Sequence, residues 1–342
     1  MRAWRTAIVG FGNVAEHGHV PAWTARDDFR LVAVAEPDES RRGAAARVLP
    51  EARLYASAEE LLAREEVDVV DIAAPPYRHA TLIAQAATAG AHVLCEKPLA
   101  TSWAEYRAAL EAVRSAGVVL FTVHNWKHSV QFGRVAALLA EGAIGRTLHV
   151  RLETIRNGRA VTVGTDWRAS AEMGGGGIVV DHGWHALYLL LGLSRERPRR
   201  ISARLERRRP TSTNVEDTAA IRLEFASLAA DVHLTWAGSE RRTRWELAGT
   251  DGLLVLEDGR LQLERGGETF RDTFPYSLSA SSHHPEWFGA VIDQLRREIT
   301  DPEARGENLA EAELCLLLTR LAYDSDARGG EALMVPESAT TC

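Results

Sequence analysis

A lysine beside a glutamate at the end of a buried β-strand is badly placed for packing and well placed for chemistry. The stretch Ala91–Pro98, Ala-His-Val-Leu-Cys-Glu-Lys-Pro, has this form. His92–Cys95 reads as a short buried strand, after a helical Leu82–Ala89 that Gly90 stops. In an open α/β sheet, ligands bind outside the carboxyl ends of the strands. Glu96-Lys97-Pro98 is therefore where a cofactor and a substrate are expected to meet. Pro98 fixes the chain direction after the pair; a cis Lys97–Pro98 bond is open to it, although most X–Pro bonds are trans. Taken alone, the same three residues also fit a solvated charge pair before an ordinary turn.

A second candidate follows Gly174-Gly-Gly-Gly177, in the run Ile178-Val-Val-Asp181-His182-Gly183-Trp184-His185. Four glycines let the backbone pass close to another group and feed a helix. On a regular helix Asp181 and His185 lie one above the other, and His182 faces away. Histidine is the usual general acid/base near neutral pH, and a neighbouring carboxylate can hold its tautomer. One competing reading is a helix start with a satisfied His and an Asp cap. Another is a metal site of Asp181, His182 and His185. No distant ligand set accompanies them, so no metal is expected. His124/His128 and His283/His284 read as structural groups or substrate contacts.

Thr6-Ala-Ile-Val-Gly10 is a continuous apolar strand of the kind buried on both faces of a parallel sheet. It runs into Gly10-Phe-Gly12-Asn-Val-Ala15, the dinucleotide fingerprint with Ala in its third small position. A bare Gly-x-Gly-x-x-Ala is weak evidence, but at a first strand–helix junction it gains weight. A second strand, Arg30–Ala35, ends in Glu36, close to the ~20 residues expected before the carboxylate that meets the adenosine ribose. Asp38 or Ser40 then opens a helix whose first turn holds Arg41 and Arg42. Further strands at Val67–Ala74, His92–Cys95 and Val118–Val123 alternate with helices at His79–Ala89 and Trp103–Ala116. That alternation means a doubly wound parallel sheet.

After Val123 the pattern changes. His124–His128 should lead into a helix through Glu141, followed by strands at 147–155, 200–207, 218–225, 228–236, 243–248, 252–257 and 260–264. Short turns such as Asp258-Gly259 are hairpin signals. The expectation is an α/β chain: an N-terminal Rossmann domain at 1–123, then an α+β domain at 124–342 with a large, mostly antiparallel open sheet. Helices including Ile178–Leu191 and Pro285–Ile299 should cover one face, and a last helix spans Asn308–Asp324.

The 342 residues, 46% of them hydrophobic, can fill two cores. A net charge of −7 argues against a nucleic-acid surface. Cys95, Cys315 and Cys342 form no metal-like cluster and cannot all pair, which fits a reducing cytosol. Met1–Arg5 shows no signal-peptide pattern, and no apolar run is long enough to span a bilayer. A cytoplasmic protein without nucleic-acid or membrane partners is expected.

Together these residues resemble the glucose–fructose oxidoreductase / inositol dehydrogenase / rhizopine catabolism (Gfo/Idh/MocA) family over nearly the whole chain. The resemblance rests on Gly10-x-Gly12-x-x-Ala15, Pro75-Pro76-x-x-His79, Glu96-Lys97-Pro98, Trp167-Arg168, and Gly174–Gly177 followed by Asp181-x-Gly183-x-His185. Val215-Glu216-Asp217-Thr218 and His284-Pro285-Glu286-Trp287-Phe288 are further markers. It implies an NAD-dependent oxidoreductase interconverting a secondary alcohol and a ketone on a sugar, cyclitol or related polyol. A homodimer or homotetramer through the C-terminal sheet is also implied.

By position, the resemblance implies that Lys97, Asp181 and His185 are catalytic, His185 accepting the proton during oxidation. NAD would lie against Gly10, Phe11, Gly12, Asn13, Val14, Glu36 and Arg41. On its nicotinamide side it would meet Ala74, Pro75, His79, Glu96, Lys97, Asn125, Trp167 and Arg168. The substrate would meet Lys97, Trp126, Lys127, Arg168, Asp181 and His185. Many members have Asn-Arg-Arg or similar where this chain has Asn125-Trp126-Lys127, so no member's substrate transfers. Arg156, Arg159, Arg168 and Lys127 point to a substrate with negative charge or many hydroxyls, unless Arg156 and Arg159 are solvated loop residues. Three other readings compete: an NAD-dependent glycosidase working by transient oxidation and elimination, a non-enzymatic NAD-binding regulator, and a metal-dependent hydrolase.

Overall fold

The structure, a computed structural model, describes residues 2–160, 166–209, 213–280 and 283–337. Cys342 and the middle of the Arg156–Arg168 segment lie outside the described residues. The first sheet has six parallel strands: β1 (Trp4–Val9), β2 (Phe29–Ala35), β3 (Arg53–Tyr55), β4 (Val69–Ile72), β5 (His92–Cys95) and β6 (Leu120–Thr122). Their order is β3-β2-β1-β4-β5-β6, which puts the topological switch point between β1 and β4.

Register brings the chemistry into line. Val9 pairs with Ala35 on one side and Ile72 on the other, and Ile72 pairs with Cys95. The next residue of each strand, Gly10, Glu36, Ala73 and Glu96, therefore sits along one carboxyl edge. The strands are apolar because helices cover both faces: Ala7, Ile8, Val34, Ile72, Val93 and Leu94 are fully buried. The helices start on local signals. The side chains of Asp38, Ser57, Ser102 and Ser129 each accept a first-turn backbone N–H, and Gly117 closes Trp103–Ala116 in a left-handed conformation.

The second sheet has nine strands: β7 (Thr147–Asn157), β8 (Arg200–Glu206), β9 (Thr218–Glu224), β10 (Ala229–Thr235), β11 (Ala237–Gly249), β12 (Gly252–Glu257), β13 (Arg260–Arg265), β14 (Glu268–Thr273) and β15 (Leu333–Met334). All its pairs are antiparallel except β7 with β10. Its strands alternate in burial. Val150, Leu152, Ile221, Leu223, Val232, Leu234, Trp245 and Leu247 point into a core shared with helices Trp184–Ser194 and Glu307–Ala327. The opposite face carries charges of both signs, including Arg151, Arg222, Arg244, Asp231 and Glu246.

Three strands carry no strong sequence signal. β3 has three residues, β15 has two, and β14 is exposed along nearly its whole length, so it has no buried alternation to read. As expected, the segment after His124, a short 3₁₀ turn at Asn125–His128, leads into a helix, Val130–Ala140, that Ser129 caps. The expected regular helix Ile178–Leu191 is a π-helical turn, Val179–Gly183, running into the α-helix Trp184–Ser194. A second π turn, Ala15–His19, follows the glycine motif. Cys95 and Cys315 are buried free thiols. No helix among the described residues is long and apolar enough to cross a membrane.

Candidate active site

One cavity of about 810 Å³ lies over the carboxyl edge of the first sheet and reaches the inner face of the second. Its glycine turn fits a dinucleotide. Gly10 has φ +90°, and a Cβ there would come 2.8 Å from Ala74 N, so only glycine fits. A Cβ on Gly12 would meet nothing within 4 Å, which leaves room for a pyrophosphate against the backbone. Gly12, Asn13 and Val14 line the cavity.

Glu36 lines it too, held at both oxygens: Oε2 accepts the Phe11 N–H at 2.7 Å and Oε1 the Asp38 N–H at 2.9 Å. The Phe11 ring is fully buried away from the cavity, so this residue can serve a cofactor only through its backbone. The Arg41 guanidinium donates to Phe11 O at 2.8 Å and to Glu16 at 2.6 Å, and sits 5.7 Å over the Phe11 ring. Arg42 donates to the carbonyls of Glu36 and Pro37. Ala74 and Pro75 line the cavity. His79, expected beside the cofactor, does not. Its buried ring nitrogens lie 2.8 Å from Pro98 O and 2.9 Å from Ala74 O, so it ties together two loops that do line the site.

Lys97 precedes Pro98 across a cis peptide bond, and its side chain reaches across to Asp181. Its Nζ donates to Asp181 O at 2.7 Å and to Asp181 Oδ1 at 2.9 Å. Arg168 Nε lies 3.6 Å from Asp181 Oδ2, and its guanidinium stacks 4.0 Å over Trp167. Burial alone would raise the Asp181 carboxyl; Lys97 and Arg168 outweigh it and hold it well below the usual carboxylate range. Asp181 is therefore an anion whose partner is Lys97.

Asp181 does not orient His185, as the four-residue spacing predicts. His185 Nδ1 instead lies 2.6 Å from the Tyr188 hydroxyl, which also accepts the Trp126 N–H at 3.1 Å. The reason is the π turn, whose i→i+5 bonding rotates Asp181 off the face that a regular helix would share with His185. The same turn brings in His182, which sequence reasoning turned away. It lines the cavity, its ring 6.3 Å from that of His185 and its Nε2 3.9 Å from Asp181 Oδ2. Burial, then the charge of Lys97, holds the His185 imidazole well below its ordinary value, and burial pushes His182 down to about 3. Both rings are neutral and able to accept a proton.

Two buried groups that set this geometry carry only a faint sequence signal. Glu216, in one of the family markers, accepts the N–H groups of Gly177 and Val179 at 3.0 Å and the Tyr323 hydroxyl at 2.8 Å, anchoring the π turn. His19 lies between two carboxylates, its Nδ1 2.9 Å from Asp71 and its Nε2 3.0 Å from Glu96. Burial would lower this imidazole, but Asp71 and Glu96 raise it to about 9. Glu96 in turn accepts the Lys97 N–H at 3.0 Å, so His19 braces the strand end that carries Lys97.

Trp126 and Asn125 line the cavity, and Trp126 stacks on His185 with ring centroids 5.1 Å apart. Lys127 does not line it. Its Nζ is paired with Glu311 at 2.8 Å, which also holds His124, so the expected substrate contact is a structural ion pair. Arg156 is no solvated loop residue: it is 2% exposed, on β7, and lines the cavity. Arg159 pairs with Asp166 at 2.8 Å. His283, one of the histidines open to substrate contact, lines the cavity, and so does Arg241, which the sequence did not single out. Among the described residues no group of three or more His, Cys, Asp or Glu side chains is placed to hold a metal ion.

Comparison with known proteins identifies the family. Residues 4–124 match the oxidoreductase family with an NAD-binding Rossmann fold, and residues 132–255 match the GFO/IDH/MocA C-terminal domain. The chain is 30% identical to a D-apiose dehydrogenase of Paraburkholderia graminis over 305 residues, which cover 87% of this chain and 80% of that one. It is 30% identical to a 1,5-anhydro-D-fructose reductase of Ensifer adhaerens over 220 residues, 63% of this chain and 65% of that one. GenD2 from gentamicin A biosynthesis, solved in complex with NAD, superposes with a TM-score of 0.83 at 25% identity, covering 98% of this chain and 97% of that one. The glycine turn and both matched domains lead to one conclusion: the chain belongs to the GFO/IDH/MocA family and is an NAD-binding oxidoreductase.

Proposed function

We propose that this enzyme interconverts a secondary alcohol and a ketone on a sugar, cyclitol or related polyol, with Lys97, Asp181 and His185 at the reacting oxygen. The observation that carries the reading is that these three residues line the same cavity as the Gly10–Val14 turn and Glu36. NAD, when bound, supplies the acceptor for hydride from the carbinol carbon. Glu36 accepts hydrogen bonds from the ribose hydroxyls, and the backbone from Gly10 to Val14 cradles the pyrophosphate. Ala74, Pro75, Asn125, Trp167 and Arg168 surround the nicotinamide half.

His185 is the general base. Its Nδ1 faces the Tyr188 hydroxyl, so Nε2 is the nitrogen left to take the substrate's hydroxyl proton. Lys97 puts an ammonium beside the oxygen as negative charge develops there. Asp181 holds that ammonium in place through two hydrogen bonds. In the reverse direction the His185 imidazolium protonates the nascent alkoxide. Trp126, stacked on His185, forms an apolar wall of the substrate pocket.

The same proposal places the domain boundary between residues 123 and 124. It assigns the open face of the second sheet to a homodimer or homotetramer contact; the interspersed Arg222, Arg244, Asp231 and Glu246 make that face self-complementary in charge. The deciding experiment is a panel of inositols, aldoses, uronates and nucleotide sugars with NAD, followed by absorbance of the reduced cofactor. Stoichiometric NAD reduction with one polyol class supports the reading. Release of aglycone from aryl glycosides with catalytic NAD and no net reduction would replace it.

A further inference from the structure

The cavity is unevenly charged. Lys97, Arg156, Arg168 and Arg241 line it around the residues assigned to the reacting oxygen. The charge of Asp181 is taken up by Lys97, and that of Glu96 is shared with the raised imidazole of His19.

Arg156 is the least expected of these. Along β7 the buried positions alternate, Val150, Leu152, Thr154 and Arg156, so a guanidinium stands on the face that the strand otherwise fills with uncharged groups. It donates to Ile155 O at 2.8 Å, Arg242 O at 2.9 Å and Thr243 Oγ1 at 3.0 Å. No carboxylate lies within 4.0 Å of it among the described residues, and every Asp and Glu of the chain is described. Burial, with Arg241 nearby, lowers this guanidinium to about 10 against the smaller pull of the more distant Asp258 and Asp181. Three acceptors leave two of its five N–H donors unused, Nε and one on Nη2. A buried cation with no carboxylate in direct contact is costly unless an anion completes it. Arg241 meets the same cavity from β11, fixed by a 3.0 Å bond from Nε to Ser279 O and likewise without a carboxylate partner among the described residues.

We propose that the substrate is a sugar or polyol acid, and that Arg156 and Arg241 receive its carboxylate while Lys97 and His185 hold the carbinol. The proposal rests on the oxidoreductase reading above and narrows its substrate class. A planar fork with two free donors matches a carboxylate's two oxygens. Lys97 does not compete for this role, because its ammonium is already engaged by Asp181. The rival occupant of the two arginines is the pyrophosphate of the cofactor itself.

The test uses the NAD-loaded enzyme and matched ligands: aldonates and uronates against the aldoses and alditols of the same carbon skeleton, with the sugar phosphates alongside. Binding is measured by titration calorimetry and turnover by absorbance of the reduced cofactor, for wild type, Arg156→Gln and Arg241→Gln. Arg241 is solvent-facing, so its variant folds even where loss of the buried Arg156 does not allow folding. The expected result is at least about tenfold tighter binding of the acid than of its neutral partner, lost in Arg241→Gln, with the Kd of NAD unchanged. Tighter binding of neutral ligands, no binding by any acid, or an acid preference that Arg241→Gln leaves intact would overturn the proposal. Phosphates that bind better than carboxylates would also overturn it, as would an Arg241→Gln effect confined to NAD. Acids that bind as expected but are never oxidised would leave the anion site standing and remove the proposed alcohol oxidation at Lys97 and His185.

Discussion

Replacing Glu36 with serine should loosen the enzyme's choice of NAD over NADP. Glu36 is proposed to meet the adenosine ribose hydroxyls, and its two oxygens are pinned by the N–H groups of Phe11 and Asp38. A 2′-phosphate would set negative charge against it. At ~4 Å and an effective dielectric of ~20 the repulsion is of order 4 kcal/mol per charge pair, an upper figure for a half-exposed group. Rotating Glu36 aside would leave the Phe11 N–H unpaired, at a cost of about 1–3 kcal/mol. Arg41 and Arg42 cannot easily rescue the phosphate, since one is engaged by Phe11 O and Glu16 and the other by the carbonyls of Glu36 and Pro37. Tenfold selectivity needs only ~1.4 kcal/mol, a third of the unrelaxed repulsion. The expectation is therefore at least tenfold higher kcat/KM with NAD in the wild type. In Glu36→Ser that ratio should shrink, mainly by improvement with NADP. Both cofactors are assayed at one saturating substrate concentration. Equal use of the two by the wild type, or a variant that loses both in proportion, would refute the placement of Glu36 at the ribose.

Three further outcomes are expected. Lys97→Met should lower kcat by roughly 10²–10⁴-fold while NAD affinity, followed by fluorescence titration, changes little; near-normal turnover would take Lys97 out of the mechanism. Tyr188→Phe keeps the ring stacked 4.4 Å from His124 but removes the hydroxyl at His185, so kcat should drop about tenfold and the pH midpoint assigned to His185 should move; an unmoved midpoint would show that the hydroxyl does not set the tautomer. His19, raised from 6.5 to about 9, adds stability that is complete below pH 6.5 and lost as pH climbs through 9. The Tm gap between wild type and His19→Asn should therefore be widest near pH 6 and narrow toward pH 9, and a gap independent of pH would mean that His19 is not the charged centre of its cluster.

Local pattern carried much of the fold. The strands that build the Rossmann core are continuous apolar runs ending in glycine, glutamate or proline, and each of those endings falls on the cavity edge because parallel register puts it there. The second sheet could be read from alternation and hairpin turns, but β14 could not, since an exposed edge strand has no buried face. Lys97 and Asp181 are brought together although 84 residues separate them. What stayed hidden depends on a helix departing from 3.6 residues per turn. Nothing local marks Val179–Gly183 as a π turn, and so His182 was turned outward and Asp181 was assigned to His185 in place of Tyr188. Lys127 and Arg156 were misread for a related reason. Whether a cation meets solvent, a carboxylate or a cavity is decided by distant partners, here Glu311 for one and the β7–β11 pairing for the other. His19 is the same case, since its partners Asp71 and Glu96 come from β4 and from the end of β5.

The central claim is that a neutral His185 takes the substrate's proton. It is tested most directly by the pH dependence of kcat/KM for alcohol oxidation at saturating NAD, in wild type and His185→Asn. Burial and Lys97 hold this imidazole well below its ordinary 6.5. Wild-type kcat/KM should therefore rise with pH along an acid limb centred below 6.5 and level off above it, because only the neutral ring can accept the proton. In His185→Asn the rate should be lower by orders of magnitude, with that limb gone. An acid limb that persists unchanged in His185→Asn would contradict the account, because the proton would then be taken by another group.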